Sequence, residues 1–304
     1  MRSSNGCDGC SLQPPKAKPG SAMTRRYSRD NLLLATDVLV EGVHFDPDWC
    51  SPDDVGWKAL AVNLSDIAAM GGESTAAVAS LVVDPDQPGI ADQGMSGLAT
   101  AASDLSCPIV GGDTSRGPAL AVSVAVVGRA HPFGPVLRSD AKPGDAVIAT
   151  GELGAAAAGL LAARKGNVDA PGTGRLRRPV PRLAEGAATV ANGATAMIDL
   201  SDGLAVDLRR LCQESGCAAL IDEEAVPRPA GVDLGLALFG GDDYELLFTV
   251  PSERVDDVLA WNLAPVTVIG KIAAGPPQVT ISSAQGTRPR EGPFFEHPIP
   301  APRA

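Results

Sequence analysis

Five short motifs, each with an aspartate directly after an apolar run, are the feature that most limits how this chain can fold. Aspartate is unfavourable inside strands and is rarely buried without a partner. Carboxylates that recur where apolar segments end therefore predict strands whose ends meet at one polar site. The motifs are Thr36-Asp37, Asn63-Leu64-Ser65-Asp66, Gly111-Gly112-Asp113-Thr114, Asp199-Leu200-Ser201-Asp202-Gly203 and Gly240-Gly241-Asp242-Asp243-Tyr244. Their joint occurrence, more than any one of them, supports a shared site.

Each motif alone also has an ordinary structural explanation. An aspartate after Gly-Gly is common in plain turns. Ser201 or Asp202 can cap the helix that follows, Asp66 can lie on a solvated helix face, and Asp37 can be a turn residue. These alternatives stay open for each motif by itself.

Convergent carboxylates indicate divalent cations. Magnesium prefers hard oxygen ligands and is usually held by a few carboxylates together with substrate phosphates. Several carboxylates gathered without cations would repel strongly, so more than one metal ion is expected. The glycine pairs before Asp113 and Asp242 would let backbone approach a phosphate closely. Phosphoryl transfer depends mainly on positioning and charge neutralisation, and this pattern suits it.

Motifs of other nucleotide-binding classes are missing from the sequence. There is no Gly-x-x-x-x-Gly-Lys-Ser/Thr loop, no His-Arg-Asp or Asp-Phe-Gly set, and no Gly-x-Ser-x-Gly elbow. The turn from Gly151 to Gly154 resembles a Rossmann glycine loop but lacks the third glycine, so a dinucleotide fold is the weaker alternative.

The composition excludes several classes of partner. The formal net charge of -11 argues against a nucleic-acid or anionic-membrane surface, because both need clustered Lys and Arg. No apolar run reaches the roughly 18 residues of a membrane span, and the amino terminus lacks a signal-peptide core. Six scattered cysteines predict a reducing, cytoplasmic location. Cys7 and Cys10 are interpreted as a chance pair, with a zinc or redox site as the alternative.

The layout of the chain predicts three segments and an α+β fold of α/β sandwich layers. Residues 1–30 are rich in Ser, Pro, Gly and basic residues and are expected to be poorly ordered. A strand over residues 32–36 ends at Asp37, and a helix begins after Ser51 and ends near Gly71. The turn at residues 141–145 marks a boundary, and residues 172–178 are expected to form a basic loop. The predicted segments are 1–30, 31–140 and 141–304.

Taken in order, the motifs closely resemble the thiamine-monophosphate kinase family. The matching segments are TDVLVEGVHF (36–45), KALAVNLSDIAAMG (58–71), GGDTSRGP (111–118), IDLSDGL (198–204) and GDDYEL (241–246), with a weaker echo at FFEH (294–297). The resemblance implies a two-domain, PurM-like fold shared with aminoimidazole-ribonucleotide synthetase and the hydrogenase-maturation dehydratase. It implies ATP and thiamine monophosphate as ligands, a homodimer formed through the amino-terminal sheet, and a nucleotide cleft against the second domain.

The resemblance also assigns roles to individual residues. It implies magnesium ligands at Thr36, Asp37, Asp66, Asp113, Asp199 and Asp202. It implies ATP contacts at Gly112, Asp113, Arg138 and Ser201, and acceptor contacts at His44, Asp242 and Phe295. The guanidinium of Arg138 suits a phosphate because its donors form a planar fork.

Two departures from the family pattern keep other readings open. The family usually carries an amino-terminal Gly-Asp-Asp-Ala-Ala type motif with a metal-binding aspartate. Its counterpart here is the segment around Asp8, which would keep the metal position, or the motif has been lost. The family's Glu is Asp at position 242, which keeps the charge but shortens the reach. Alternatives are a catalytically impaired nucleotide-binding homologue, or a superfamily enzyme that activates an amide or formyl oxygen with ATP.

Overall fold

The computed structural model describes residues 25–27, 31–283 and 286–289. Within these ranges helices and strands are mixed around two separate sheets, which confirms the predicted α+β class. The first half contains β1 (Arg25–Tyr27), β2 (Leu32–Val40), α1 (Pro52–Ala68), β3 (Glu73–Val83), α2 (Ile90–Asp104), β4 (Ile109–Arg116) and β5 (Ala121–Arg129). In the described part, no helix is both long and apolar enough to cross a membrane.

The first sheet has five strands in the order β1-β2-β5-β3-β4. All neighbours are antiparallel except β3 and β4, which are parallel. One face is packed by α1 and α2 around a core that includes Leu33, Leu81 and Val124. The opposite face, here called the outer face, leaves apolar side chains exposed, among them Val38 and Val78.

Helix α1 occupies the centre of the molecule. It begins as predicted at Ser51, whose side chain and that of Asp54 form a capping box, and Pro52 fills the first position. Every residue from Val55 to Ala68 is buried, because α1 packs against the first sheet, α2 and the second half of the chain. Glycines allow α1 and α2 to meet backbone to backbone: a Cβ on Gly97 would lie 1.8 Å from the carbonyl oxygen of Asp53.

The second sheet has seven strands in the order β12-β11-β8-β10-β6-β9-β7. Its strands are β6 (Ala146–Thr150), β7 (Ala196–Asp199), β8 (Ala218–Asp222), β9 (Leu246–Val250), β10 (Val266–Ala273), β11 (Val279–Ser283) and β12 (Gly286–Pro289). The helices are α3 (Ala155–Ala163), α4 (Thr173–Arg177), α5 (Leu183–Ala191), α6 (Leu204–Ser215), α7 (Leu234–Phe239) and α8 (Val255–Leu259), with a 3-10 turn at Ser252–Arg254. Helix α6 ends at Gly216 in the left-handed conformation.

The Rossmann alternative is wrong. Strand β6, which precedes the glycine turn at Gly151 to Gly154, is antiparallel to both of its neighbours, β9 and β10. A dinucleotide-binding loop needs a parallel β-α-β unit, and β6 does not belong to one.

Two aspartates predicted at turns lie within strands instead. Strand β2 continues through Asp37 to Val40, and Asp113 lies inside β4. Both positions are exposed, and β4 is also an edge strand. These carboxylates therefore remain solvated, and the strand can continue past them. The predicted loop at residues 172–178 likewise contains the short helix α4.

The predicted segment boundaries can be compared with the observed strands. The predicted boundary at residue 141 falls between β5, the last strand of the first sheet, and β6, which belongs to the second sheet. Within residues 1–30, Arg25–Tyr27 form β1 and pair with β2, while the remainder lies outside the described residues.

Candidate active site

Two turns of the second half are joined by backbone hydrogen bonds. The first turn comprises residues 199–203 and the second turn residues 241–245. The bonds run from Leu200 N to Glu245 O at 2.8 Å, from Tyr244 N to Leu200 O at 2.9 Å, and from Asp242 N to Ser201 O at 2.9 Å. Two motifs about 40 residues apart in sequence thus form one structural unit, because turns with satisfied backbone groups pack stably against each other.

The second turn holds Asp242 in an unusual backbone conformation. Asp242 and Tyr244 both have positive φ, at 68° and 51°. Such conformations cost non-glycine residues on the order of 1–3 kcal/mol each and persist where surrounding contacts enforce them. Here the Asp242 carboxylate accepts hydrogen bonds from Lys58 Nζ and from the Tyr244 hydroxyl, both at 3.0 Å.

The first turn contacts α1 through Asp199. The Ser65 hydroxyl donates to Asp199 Oδ2 at 2.8 Å. Burial raises the pKa of Asp199, the Ser65 hydrogen bond and the charge of Arg138 oppose that rise, and the charge of Asp202 adds to it. Asp66, next to Ser65 on α1, is only 8% exposed, so the solvated-face explanation for it is wrong.

Tyr244 lies near carboxylates from both halves of the chain. Burial raises the pKa of Tyr244, and the negative charges of Asp242, Asp37 and Asp199 raise it further. These effects need the charges to be near the phenol, so residues from both halves share one region. Asp37 reaches it because Leu33, Ala35 and Leu39 alternate with exposed residues on the helix-packed face of β2, and Asp37 has the same parity.

The capping explanation for Ser201 and Asp202 is wrong. Helix α6 has Gly203 at its N-cap without a side-chain cap. The carboxylate of Asp207, inside the helix, instead accepts the backbone N–H of Ser201 at 3.1 Å and of Asp202 at 2.9 Å. Burial raises the pKa of Asp207 to about 7.

Arg210 completes this arrangement by pairing with both Asp202 and Asp207. Sequence reasoning missed Asp207, Arg210 and Lys58. The spacing of Asp207 and Arg210 on a helix directly after a motif was the available signal.

Asp113 is not brought to the other aspartates within one chain. Asp37, Val124, Ala79 and Gly112 are successive partners across the sheet, so β4 lies three strands from β2. At about 4.8 Å per strand, that separation is about 14 Å. Asp113 follows Gly112 and therefore faces the outer side of the sheet.

Thr36 faces the outer side as well, since it alternates with Asp37 on β2, and its hydroxyl donates to the carbonyl of Val124 at 3.1 Å. Gly112 is required for strand pairing itself, because a Cβ there would lie 2.0 Å from the carbonyl oxygen of Ala79.

The remaining predicted contacts are placed as follows. Arg138 is half-buried, and its positive charge lowers the pKa of Asp199. His44 Nδ1 accepts the backbone N–H of Val40 at 3.0 Å, which fixes the ring at the end of β2. Asp8 and Phe295, like Cys7 and Cys10, lie outside the described residues.

The region around Tyr244 contains carboxylate oxygens of the kind that magnesium prefers. Among the residues that the structure describes, however, no group of three or more His, Cys, Asp or Glu side chains lies close enough to hold a metal. Asp199 is the best-placed donor, because a buried carboxylate favours a nearby cation. The type of donor therefore fits magnesium, although the described side chains of one chain do not form a complete set of ligands.

Comparisons with known proteins identify the family of the chain. The N-terminal domain of the AIR synthase related protein family matches residues 21–130, and its C-terminal domain matches residues 142–282. Thiamine-monophosphate kinase from Salmonella typhimurium is 38% identical over 81% of this chain and 80% of its own length.

Solved structures give the same result. Thiamine-monophosphate kinase from Stenotrophomonas maltophilia K279a is 35% identical, covers 83% of this chain and 86% of its own, and has a TM-score of 0.77. The structure described as AaThiL complexed with AMPPCP and TMP is 34% identical over 85% of each chain, with a TM-score of 0.75. The predicted PurM-like fold and the predicted resemblance are confirmed, and the chain belongs to the thiamine-monophosphate kinase family.

Proposed function

We propose that this chain transfers the γ-phosphoryl group of ATP to thiamine monophosphate and releases ADP and thiamine diphosphate. The observation that carries the proposal is the pair of joined turns set against α1, with Asp37, Asp199 and Asp242 around Tyr244. A similar structure was solved with AMPPCP and TMP, and a relative 38% identical to this chain is a thiamine-monophosphate kinase.

The reaction needs no covalent intermediate on the protein. A phosphate oxygen of thiamine monophosphate attacks the γ-phosphorus of ATP in line, the bond to the β-phosphate oxygen breaks, and ADP leaves. The chain holds the two anions in this geometry and excludes water. Arg138 and Ser201, with Gly112 and Asp113, contact ATP, while His44, Asp242 and Phe295 contact the acceptor.

Several Mg²⁺ ions accompany ATP in this proposal. They would neutralise the oxygens of the polyphosphate, which otherwise repel the incoming phosphate. The residues that would hold them are Asp8, Thr36, Asp37, Asp66, Asp113, Asp199 and Asp202. The burial of Asp199 and Asp66 supports this assignment, because cations offset the cost of burying charge.

A homodimer formed through the outer face of the first sheet belongs to the same proposal. Leu34, Val38, Val78 and Val127 are 37–46% exposed on this face. Exposed apolar clusters on a sheet favour a protein partner. Thr36 and Asp113 share the face, so a second copy would approach the residues that one chain keeps apart. The proposed domains remain 31–140 and 141–304, preceded by residues 1–30, and the proposed location is the cytoplasm.

A coupled assay of ADP release tests the activity. With ATP, Mg²⁺ and thiamine monophosphate we expect one ADP per thiamine diphosphate formed, and loss of turnover on chelation of magnesium. Unphosphorylated thiamine serves as the matched control, since it lacks the attacking phosphate. Tight calorimetric binding of ATP with magnesium but no transfer would instead indicate an impaired homologue. ADP release only with amide or formyl compounds would indicate the other superfamily chemistry.

A further inference from the structure

Helix α1 presents polar side chains to the second half along one face. Asp54 pairs with Arg178 at 2.6 Å, Lys58 with Asp242 at 3.0 Å, and Ser65 bonds Asp199 at 2.8 Å. Asp54 and Lys58 are one turn apart and Ser65 is two turns further along, so the three groups share that face. One rigid element therefore contacts both of the joined turns.

Lys58 is the most unusual of these groups because its ammonium is buried. Its side chain is 3% exposed, whereas that of Asp242 is 31% exposed. A buried ammonium is strongly unfavourable without a partner. The ion pair with Asp242 meets that requirement, and it links the first half of the chain to the second turn.

The Asp242 carboxylate is held at both oxygens. Lys58 Nζ contacts Oδ2 and the Tyr244 hydroxyl contacts Oδ1. Each carboxylate oxygen accepts about two hydrogen bonds, so each keeps one acceptor position for a ligand. The positive φ of Asp242 limits its backbone, so these two contacts decide where the remaining acceptor positions point.

We infer that Lys58 is a positioning residue for the phosphoryl acceptor. It fixes the orientation and balances the charge of Asp242, and so sets acceptor affinity without contacting ATP. The inference rests on the proposed function, in which Asp242 contacts the acceptor. It concerns a residue of the first half that reaches the acceptor side through an ion pair.

The experiment compares Lys58→Met with wild type in the ADP-release assay, with thiamine monophosphate and ATP varied separately. Methionine keeps the length of the buried stem and removes the charge. We expect KM for thiamine monophosphate to rise about tenfold or more, and KM for ATP to change less than about twofold. Lys58→Arg keeps a cation and should recover part of the loss.

A double-mutant cycle separates positioning from general packing. In an Asp242→Asn background, Lys58→Met should add less than about twofold, because Lys58 acts through the carboxylate already altered. Arg178→Gln is the matched control: it removes the ion pairs to Asp53 and Asp54 on the same helix and should leave acceptor KM unchanged. Thermal melting of all variants checks folding, and Lys58→Arg carries the test if Lys58→Met is unfolded.

The outcomes are distinct. Equal rises in both KM values, or full additivity with Asp242→Asn, would overturn the inference while leaving the proposed function intact. Wild-type protein that transfers nothing to thiamine monophosphate would overturn both.

Discussion

The joined turns of the second half and the first sheet accommodate their carboxylates in different ways. In the second half, Asp199, Asp207 and Glu245 are buried, and each has hydrogen-bond donors from neighbouring backbone or side chains. In the first sheet, Asp37 and Asp113 are exposed on separate strands about 14 Å apart. The second half fixes these carboxylates within the chain, whereas the first sheet has Asp37 and Asp113 on its surface.

The difference shows where the order of the site comes from. Buried carboxylates must be fixed by partners, because unpaired buried charge is costly. Exposed carboxylates on strands keep contact with water, so their charge costs little whether or not buried groups fix them. We therefore expect substitutions in the two regions to fail in different ways.

The largest effect is expected for Asp199→Asn. Removing this carboxylate should lower kcat by about 10²–10³-fold, because in the proposed function it would hold a Mg²⁺ ion that neutralises the polyphosphate. Stability should not fall, since burial disfavours the charged form that the substitution removes. Steady-state kinetics and urea unfolding measure the two effects. Asp257→Asn, on the surface, is the control. Unchanged kcat would remove Asp199 from the proposed metal site.

The next effect concerns the stability of the joined turns. Glu245 receives two hydrogen bonds from Arg182, at 2.6 and 2.7 Å, and one from Thr150 at 2.6 Å. Glu245→Gln should lower the free energy of unfolding by about 2–4 kcal/mol, because Arg182 keeps a largely buried charge without its partner. Urea unfolding measures it. The exposed Arg254–Asp257 pair is the comparison, and its loss should cost less than about 1 kcal/mol. Equal costs would contradict the view that burial makes the partners of Glu245 necessary.

For the first sheet, the expected failure is in association. Val78→Asp places a charge on the outer face and should weaken dimer formation by at least about 10²-fold. Sedimentation velocity measures the association. Leu259→Asp, on an exposed position of α8, should leave it unchanged. A dimer that survives Val78→Asp would move the proposed interface elsewhere, and loss of activity together with the dimer would sharpen the comparison.

The smallest effect is a pH dependence at the second turn. Burial raises the pKa of Asp243 from 3.8 to about 7 in the folded protein. The folded state therefore holds this proton more tightly, so wild type loses stability as pH rises from about 4 to about 7. Asp243→Asn should remove about 1–3 kcal/mol of that loss between about pH 5 and pH 8. Unfolding at both pH values tests it, with the exposed Asp104→Asn as control. Parallel curves would contradict the raised pKa.

Local signals in the sequence predicted much of this molecule. The start of α1 after Ser51 was predicted, because a helix N-cap depends on neighbours within a few residues. The grouping of Asp199 with Asp242 followed from motifs that share one chemistry. The extent of β2 and β4 was missed, because an exposed strand position accepts an aspartate that a buried one excludes.

Pairs formed between distant elements could not be predicted in the same way. Lys58 and Asp242 are 184 residues apart, and no local sequence pattern around either residue predicts that the two form a pair. The role of Asp207 depends on how α6 approaches the first turn, which is a property of packing. The position of Asp113 was predicted as part of a shared site, yet sheet order places it three strands from Asp37.

The close backbone contact between α1 and α2 means that substitutions at its glycines can affect the joined turns. Because a Cβ on Gly56 would lie 2.1 Å from the carbonyl oxygen of Gly94, no larger residue fits there unless α1 moves. Any such movement of α1 would also displace Lys58 and Ser65. A substitution at the contact between the two helices would therefore be detected as weaker acceptor binding. Sequence variation at these glycines is thus constrained by acceptor binding, although the glycines do not contact Asp242.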